Sequence, residues 1–486
     1  MKRTSLCMMG ISAFLFASPL NAARADDMAT KAPPAVAQTS PPVSCGSLWD
    51  FVATNCPLTW NGITLYGTLD TGVSWQSHSA PYNGRSSFGV NYLISKQSNR
   101  SLWLPGPNAM SQSNIGIKGS EPIGSDWSLI FALQADFDPY SLQLANGPHS
   151  IAQNVGVPLN NQDSYGDSSR QGQFYNGLGY VGVSSPTYGT LTVFRQYALT
   201  NDAIGAYDPF AGSYAFSVIG FSGTTCGVGR TEDCRFTTSA KYRVNIGDFR
   251  VGALWQFGGY DEGNASNGAY QLQVGGDIKN LANGTLSLDA IGSYVRDAVG
   301  LSLSGNPTVN GVPVPPFLPQ NLTATISDNS SVMLLGRYAN GPVKLFAGYE
   351  WIQFAPPSGR LGPFTDIGGD FVTILNTTAF NFHNQILQVF WTGASYAVTD
   401  NVNVIGAYYH LDQNSYGGGA SSGCTTIAFT TCSGTLDAVS AAVDWKFADK
   451  FDAYAGVMYS QVSGGQASGF LQHNNIDPTV GVRCSI

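Results

Sequence analysis

The sequence predicts an all-β protein: a 16-stranded antiparallel transmembrane β-barrel with short periplasmic turns, long outer loops and an inward-folded third loop. Three observations carry this prediction. From residue 61 onward, segments of about ten residues alternate apolar and polar side chains, as tilted membrane strands do. The connections between the segments are alternately short and long. Aromatic residues gather near the ends of the apolar faces, as they do at membrane interfaces.

The composition agrees with a barrel that surrounds water. Charged residues make up 11% of the chain, against roughly 25% in average soluble proteins. Glycine occurs 57 times and aromatic residues make up 12%, while the mean hydropathy is −0.03. A barrel with a polar inner face and an aqueous lumen needs no large apolar core. The moderate apolar content therefore does not count against a large, stable structure.

The N-terminal segment has the features of a secretory signal peptide, predicted at residues 1–25. Lys2 and Arg3 precede an apolar stretch, and Ala23 and Ala25 form a small-x-small cleavage site. This predicts export and, for a barrel, a place in the outer membrane of a Gram-negative bacterium. The segment contains 3 of the 23 basic residues, so the mature chain keeps 20 basic against 31 acidic residues, a net charge of −11. That balance predicts no nucleic-acid partner.

A Pro-rich extension is predicted at residues 26–60, ahead of the barrel at 61–486. It contains the first of three close cysteine pairs, Cys45 and Cys56, in a compartment that favours disulfides. The spacing predicts three local disulfides: Cys45–Cys56, Cys226–Cys234 and Cys424–Cys432. The absence of metal-ligand spacing predicts that the cysteines bind no metal, and no cofactor is expected.

The alternation is clearest in the predicted strand that begins at Phe249. Phe249, Val251 and Trp255 share an apolar face, and Leu254 is the one apolar residue on the opposite, polar face. Counting such segments gives sixteen strands, an even number that allows the edges to close. Their predicted first residues are Ile63, Ser111, Trp127, Gly177, Gly189, Phe236, Phe249, Ala269, Thr285, Ser331, Val343, Gln385, Val402, Thr435, Phe451 and Asp477.

The lengths of the connections distinguish the two ends of the predicted barrel. A soluble sandwich is not expected to place all of its long loops at one end. The short connections are 281–284, 339–342 and 448–450, and the long ones are 300–329, 356–384 and 414–434. In the last strand, Val480, Val482 and Cys484 alternate with Arg483, which predicts that Cys484 faces lipid and Arg483 faces the lumen.

The connection at 196–234 stands apart from the others. It follows a clear strand and shows no sustained period of 2 or 3.6, but it contains acidic residues, aromatics and a cysteine pair. Loops of this length are usually functional or disordered, and the cysteine pair favours an ordered one. We therefore expect this loop to fold into the barrel and to set the width of the pore.

Several stretches resemble the Gram-negative trimeric general porins. ITLYGTLDTGVSW at 63–75 is similar to their first strand, and the stretch at 113–137 is similar to their second and third. The stretch at 179–197 resembles their fourth and fifth strands. The Pro-rich lead-in with its cysteine pair looks closest to porins of alphaproteobacteria. The resemblance covers nearly the whole mature chain, although the later strands match only in pattern.

The resemblance implies a constriction in which acidic residues of the third loop face a basic cluster on the wall. Asp208, in DPFAG, lies close to the family's acidic loop stretch, and Asp202 is a second candidate. Arg230 and Arg235 lie where the family has basic residues at the return of the loop. The alternatives are that the two aspartates are ordinary solvated loop residues and that the two arginines pair with nearby acidic residues.

Further candidates lie on the inner face of the first strands. Lys118 and Asn114 belong to the second strand, where Asn114 replaces a basic residue of the family, as Gly177 does on the fourth. Asp70 lies on the first strand, where it acts either as a structural hydrogen-bonding group or as a filter residue. The loss of two basic positions predicts a mild preference for cations.

The resemblance implies a passive diffusion channel for small hydrophilic solutes and ions, a homotrimer in contact with outer-membrane lipid and lipopolysaccharide. One alternative is a channel specific for a substrate such as a sugar, and another is a plugged structural or adhesin barrel. The five histidines are scattered and match no Ser–His–Asp arrangement, so the sequence does not predict an enzyme.

Overall fold

The computed structural model describes most of the chain from Cys45 to Ile486. The described residues are 45, 47, 50–51, 54, 56–79, 92, 100–142, 175–220, 235–262, 264, 266–301, 308–309, 312–313, 322–359, 361–362, 365, 371–373, 383–417, 432–467 and 472–486. The predicted signal peptide, Arg230 and the pair Cys226–Cys234 lie outside this part of the chain.

The wall is a closed antiparallel barrel with sixteen strand positions. Each strand pairs with its neighbours in chain order, and the last strand pairs with the first, with Asp70 opposite Arg483. The wall strands are β2 (Ile63–Gln76), β3 (Leu102–Pro107), β4 (Asn114–Gly124), β5 (Trp127–Asp136), β6 (Leu178–Ser185), β7 (Gly189–Tyr197), β8 (Arg235–Ile246), β9 (Phe249–Gln256), β10 (Ala269–Leu281), β11 (Gly284–Leu301), β14 (Leu322–Asn340), β15 (Val343–Ala355), β17 (Gln385–Thr399), β18 (Val402–Gln413), β19 (Gly434–Ala448), β20 (Phe451–Val462) and β21 (Asn474–Ser485).

Four short strands lie outside the wall or extend it. β1 (Leu58–Trp60) pairs with the start of β2, within the segment predicted as the extension. β16 (Phe371–Thr373) pairs in parallel with the outer end of β14, and β12 (Thr308–Val309) and β13 (Val312–Pro313) form a separate hairpin. In the described part of the chain, no helix is long and apolar enough to span a membrane.

The predicted strand starts agree with the structure within three residues at most positions. The largest difference is β14, which begins at Leu322 instead of Ser331 because its first residues pair with the end of β11 and with β16. The second wall position is made by two strands, β3 and β4, that pair with the two halves of β2. The chain between them, at 108–113, bulges out of the strand path, and this interruption was not predicted.

The two faces of the wall follow the predicted alternation. Phe249 is 70% exposed and Trp255 is 52% exposed on the outer face, as expected for side chains that contact lipid. Leu254, the apolar exception on the inner face, is buried. Many inner-face residues of β14 to β20 are also apolar and buried, so one half of the lumen contains an apolar core.

The described part of the extension is attached to the turn between β19 and β20, at the end of the barrel that has the short connections. Cys45 and Cys56 form the predicted disulfide. The ammonium group of Lys450, in the turn between β19 and β20, donates hydrogen bonds to the carbonyl oxygens of Phe51 and Cys56 and lies 3.6 Å from the Phe51 ring centroid. Cys432 is also disulfide-bonded, and its predicted partner Cys424 lies outside the described residues.

The register of the last strand allows a direct labelling test. Val480 and Val482 are exposed on the outer face, and Cys484 has the same parity but is buried, with 7% of its surface exposed. We expect a water-soluble maleimide to leave Cys484 unlabelled in intact membranes and to label it after denaturation. Mass spectrometry of the C-terminal peptide measures this, and rapid labelling in membranes would contradict the register.

Candidate pore constriction

The loop after β7 begins with a short helix inside the barrel. Helix α1 (Leu199–Tyr207) has no side-chain N-cap hydrogen bond, so local signals contribute little to its stability. Its buried residues include Leu199, Ala203, Ile204 and Tyr207, which recur at helical spacing on the face that packs against the wall. Tertiary packing therefore stabilises a helix that the sequence pattern did not predict.

Asp202 binds the first part of the helix to β8. Its carboxylate forms ion pairs with Lys241 (2.9 Å) and with Arg243, and the three side chains are between 13% and 17% exposed. Lys241 also donates a hydrogen bond to the carbonyl oxygen of Tyr197, at the end of β7. Two cations on one carboxylate leave this cluster with a net charge of +1.

The end of the helix is held by β9, β11 and β17. The Tyr207 hydroxyl donates a hydrogen bond to Asp289 and accepts one from Arg250 at 3.2 Å. The indole N–H of Trp391 donates to the carbonyl oxygen of Tyr207 at 3.0 Å. These contacts come from three strands, so they fix the end of the helix against the wall.

Asp208 follows the helix and is 2% exposed. Its carboxylate accepts hydrogen bonds of 2.7 Å from the Tyr409 hydroxyl, on β18, and from the backbone N–H of Gly212. Burial away from water raises the pKa of Asp208 to about 6, although these hydrogen bonds act in the opposite direction. The sequence predicts this residue on the open lumen, whereas the structure uses it to attach the loop to the wall, because both carboxylate oxygens have donors there.

The tip of the loop reaches the interruption between β3 and β4. The Ser213 hydroxyl and the Ala215 N–H both donate to the carbonyl oxygen of Ala109, at 2.7 and 3.0 Å. The Asp70 carboxylate stabilises this bulge, since it accepts hydrogen bonds from the backbone N–H groups of Met110 (2.8 Å) and Ser111 (2.7 Å). Of the two roles open for Asp70 from the sequence, its complete burial favours the structural one.

Two glycines of the wall make room for the loop. A Cβ atom at Gly393 would lie 2.5 Å from the ring of Pro209, and one at Gly456 would lie 2.7 Å from the ring of Phe216. Phe216 also meets Tyr454 edge-to-face, with ring centroids 6.3 Å apart. The wall therefore has depressions at the points where the loop packs.

The contact between loop and wall is largely apolar. The cluster joins buried loop residues to inner-face residues of β9, β11, β14, β15 and β17 to β20, and all of its members are 9% exposed or less. Its wall members include Leu254, Ile291, Met333, Leu335, Ile352, Phe354, Leu387, Val389, Trp391, Ile405, Tyr409, Leu411, Ala442, Tyr454 and Met458. Close-packed burial of this size makes the loop a fixed part of the barrel.

The remaining predicted residues are spread over the wall. Arg235 is buried in an ion pair with Asp136 and covers the Tyr197 ring, with 4.9 Å to the centroid. Lys118 is exposed to the lumen and lies 5.2 Å from the centroid of the Tyr66 ring. Asn114 is half-buried and donates to the backbone of the bulge. Arg235 therefore does not meet the loop carboxylates.

Arg195 faces inward, although strict alternation would turn it toward lipid. A bulge at Phe194, which has φ 84° and is 53% exposed, shifts the register between Phe194 and Gln196. Arg195 then donates two hydrogen bonds to the carbonyl oxygen of Asn176. Bulges of this kind redirect side chains near functional segments.

Basic residues on β8, β9, β14 and β15 form part of the site that the sequence did not single out as a group. Lys241, Arg243, Arg250, Arg337 and Lys344 all share the inner face of their strands. The sequence does show that each of these residues lies on the polar face of an alternating strand. Their convergence depends on register between strands that are far apart in sequence.

Comparisons with known proteins agree with this architecture. A family model for Gram-negative porins matches residues 22–465. An outer membrane porin protein of Bordetella pertussis is 21% identical over 209 residues, which are 41% of this chain and 44% of the relative. The aligned stretch thus spans less than half of that relative.

Solved structures also match over most of the chain. The anion-selective porin from Comamonas acidovorans has a TM-score of 0.53 and 16% identity, and the match covers 87% of this chain and 99% of that one. OmpT, an outer membrane protein of Vibrio cholerae, has a TM-score of 0.54 and 15% identity, with 88% and 99% covered. At these identities, the likeness shows the fold alone.

Proposed function

The chain belongs to the Gram-negative porin family, and on this premise we propose that it is a passive diffusion channel for small hydrophilic solutes and ions across the outer membrane. The observation that best supports this proposal is the position of the third loop. Its apolar residues pack against the inner wall, while Lys118, Arg243, Arg250 and Arg337 on the inner face keep part of their surface exposed and mark the open side of the lumen. A lumen that the loop fills only in part, and that keeps exposed charged groups, remains open to water and is narrowed by the loop.

The charges on this open side favour anions. The basic side chains that share it are Lys118, Lys241, Arg243, Arg250, Arg337 and Lys344, and the acidic ones are Asp202, Asp277 and Asp289. Six basic against three acidic groups give a net charge of +3, or +2 if the buried Glu350 on β15 is counted as ionised. The ion pairs Asp136–Arg235 and Asp248–Lys279 are each neutral and do not change this sum.

The opposite wall changes this balance only in part. Asp444 and Asp452 share Arg483, and Lys446 lies beside them, so these four groups balance. The carboxylates of Asp70, Asp208 and Asp477 would cancel a charge of +3 if they faced the lumen equally, but they are 2% exposed or less, whereas the basic groups of the open side are exposed to lumen water. We therefore propose a mild anion preference in place of the mild cation preference expected from the sequence.

Reversal potentials in asymmetric KCl across planar bilayers test this proposal. We expect a mild anion preference in the wild type, and a stronger one in Asp202→Asn, which removes a carboxylate that is 14% exposed. Asp208→Asn is the matched control, because it removes a buried carboxylate and should shift the reversal potential much less. Both shifts should weaken at 1 M salt, where the Debye length is about 3 Å. Equal shifts in the two variants would contradict the assignment of Asp202 to the open lumen.

The same recordings separate the alternatives. Ohmic steps support a diffusion channel, steps blocked by one sugar support a specific channel, and the absence of conductance in a correctly folded barrel supports a plug. The acidic groups of this side, Asp202, Asp277 and Asp289, are engaged in ion pairs with Lys241, Arg243 and Arg250, and on this basis we propose a channel without catalytic activity.

We also propose a homotrimer in contact with outer-membrane lipid and lipopolysaccharide. Trp103 on β3 is 75% exposed and pairs across the outer face with Trp75 on β2, which supports a contact surface at the first strands. Chemical cross-linking in native membranes, followed by gel electrophoresis, tests the trimer. Migration as a monomer under mild conditions would contradict it.

A further inference from the structure

We propose that Arg337 and Lys344 form a binding station for small oxyanions, carboxylates or phosphate, on the inner wall beside the end of helix α1. This inference rests on the proposed channel function. The station lies on β14 and β15, well away from the first strands to which the resemblance assigned the basic cluster. It would let an anionic solute pause beside the constriction before it moves on.

The two cations are neighbours through strand register. Arg337 pairs with Phe346 on the adjacent strand, and Lys344 precedes Phe346 by two residues on the same face. Diagonal neighbours of this kind have Cα atoms roughly 7–8 Å apart, so both long side chains can reach one ligand. Both residues are half-buried. Lys344 lies on the inner face, because its neighbours in the strand, Val343 and Leu345, point to the outer face.

The guanidinium of Arg337 is positioned but not saturated. Its carbon lies 5.8 Å from the centroid of the Tyr207 ring, within the range of a cation–π contact. Among the described residues, its hydrogen bond is a long one, 3.4 Å to the carbonyl oxygen of Ala206. Arginine has five N–H donors in a planar fork, so most of them remain for water or a ligand.

Arg250, the nearest arginine by way of Tyr207, shows the contrast. Its two terminal nitrogens form ion pairs with Asp277 at 2.7 Å and with Asp289 at 2.9 Å. Asp289 also accepts the Tyr207 hydroxyl. Arg250 therefore fixes the ring against which Arg337 lies, and its donors are used by the protein itself. Arg337 forms no ion pair within 4.0 Å among the described residues.

The chemistry of these groups selects the ligand class. A guanidinium fork binds the two oxygens of a carboxylate or a phosphate in a bidentate manner, and an adjacent ammonium adds a second charge without a fixed geometry. The half-buried position strengthens such contacts compared with bulk water. A neutral sugar would gain little from this pair.

Single-channel recording with one-sided addition of succinate or inorganic phosphate tests the station. We expect transient block of the wild-type current by at least one of the two anions. Arg337→Gln should raise the half-blocking concentration about tenfold, the equivalent of roughly 1.4 kcal/mol. Lys344→Gln should raise it less, and Arg337→Lys should give an intermediate value, because it keeps the charge but loses the fork.

Lys279→Gln is the matched control. It also removes one inner-face positive charge, but Lys279 is 61% exposed and paired with Asp248 at a periplasmic turn. Block should remain as in the wild type. Ohmic wild-type channels that neither anion blocks would overturn the station while leaving the channel function intact, whereas a folded protein without conductance would overturn the channel function. An equal effect of Lys279→Gln would also overturn the station. If Arg337→Gln does not fold, as judged by heat-modifiable migration in gels, Lys344→Gln decides the question.

Discussion

Replacing Ile204 by aspartate is expected to increase the single-channel conductance several-fold and to admit larger sugars. Ile204 is 1% exposed and lies on the face of helix α1 that packs against the apolar half of the wall. A carboxylate buried there without a partner costs several kcal/mol. Because the helix has no side-chain cap, little local stability opposes its release. Planar-bilayer conductance and liposome swelling with sugars of increasing size measure the change.

Ala211→Asp provides the control for this substitution. Ala211 is exposed at the turn of the same loop, so its aspartate adds the same charge without entering the apolar cluster. We expect normal conductance and size limit, with a reversal potential shifted toward cations. A normal size limit in the Ile204→Asp channel would mean that the wall contacts of Asp208, Ser213 and Ala215 hold the loop without the apolar cluster.

The barrel itself could be predicted because its determinants are local and repeated. Period-2 alternation, turn residues and aromatic ends recur in every strand, and an error in one strand does not change the others. The alternation identified Leu254 as an apolar residue on the inner face, but it did not explain why an apolar residue lies there. Helix α1 covers it, and that helix could not be predicted because Asn201, Asp202 and Gly205 interrupt the apolar pattern.

The candidate site was harder to predict than the fold. Asp208 and Asp202 look alike in sequence, as acidic residues in one loop. In the structure they have different partners. Asp208 binds Tyr409, about 200 residues away in sequence, and Asp202 binds Lys241, about 40 residues away. Such partners follow from register between distant strands and from the path of the loop. Arg195 illustrates the same point on a smaller scale, since one bulge reverses the side predicted by alternation.

The ion pairs of Asp202 lead to the second large effect, a reversal of selectivity. In the double variant Lys241→Gln with Arg243→Gln, Asp202 loses both cations, and the cluster changes from a net charge of +1 to −1. The buried carboxylates on the far side then outweigh the remaining basic groups. We expect the reversal potential in asymmetric KCl to change sign, from anion to cation preference, at low ionic strength.

A charge-balanced control separates this electrostatic effect from a displaced helix. Asp202→Asn with Lys241→Gln removes one acid and one base, so the cluster keeps a net charge of +1 through Arg243, although both contacts of Asp202 with β8 are weakened. If charge determines selectivity, this variant keeps the anion preference of the wild type. If the ion pairs act only by holding the helix, both double variants should change conductance in the same way, and neither should reverse the sign. Sign reversal in the first variant alone is the result that the distribution of charge on this wall predicts.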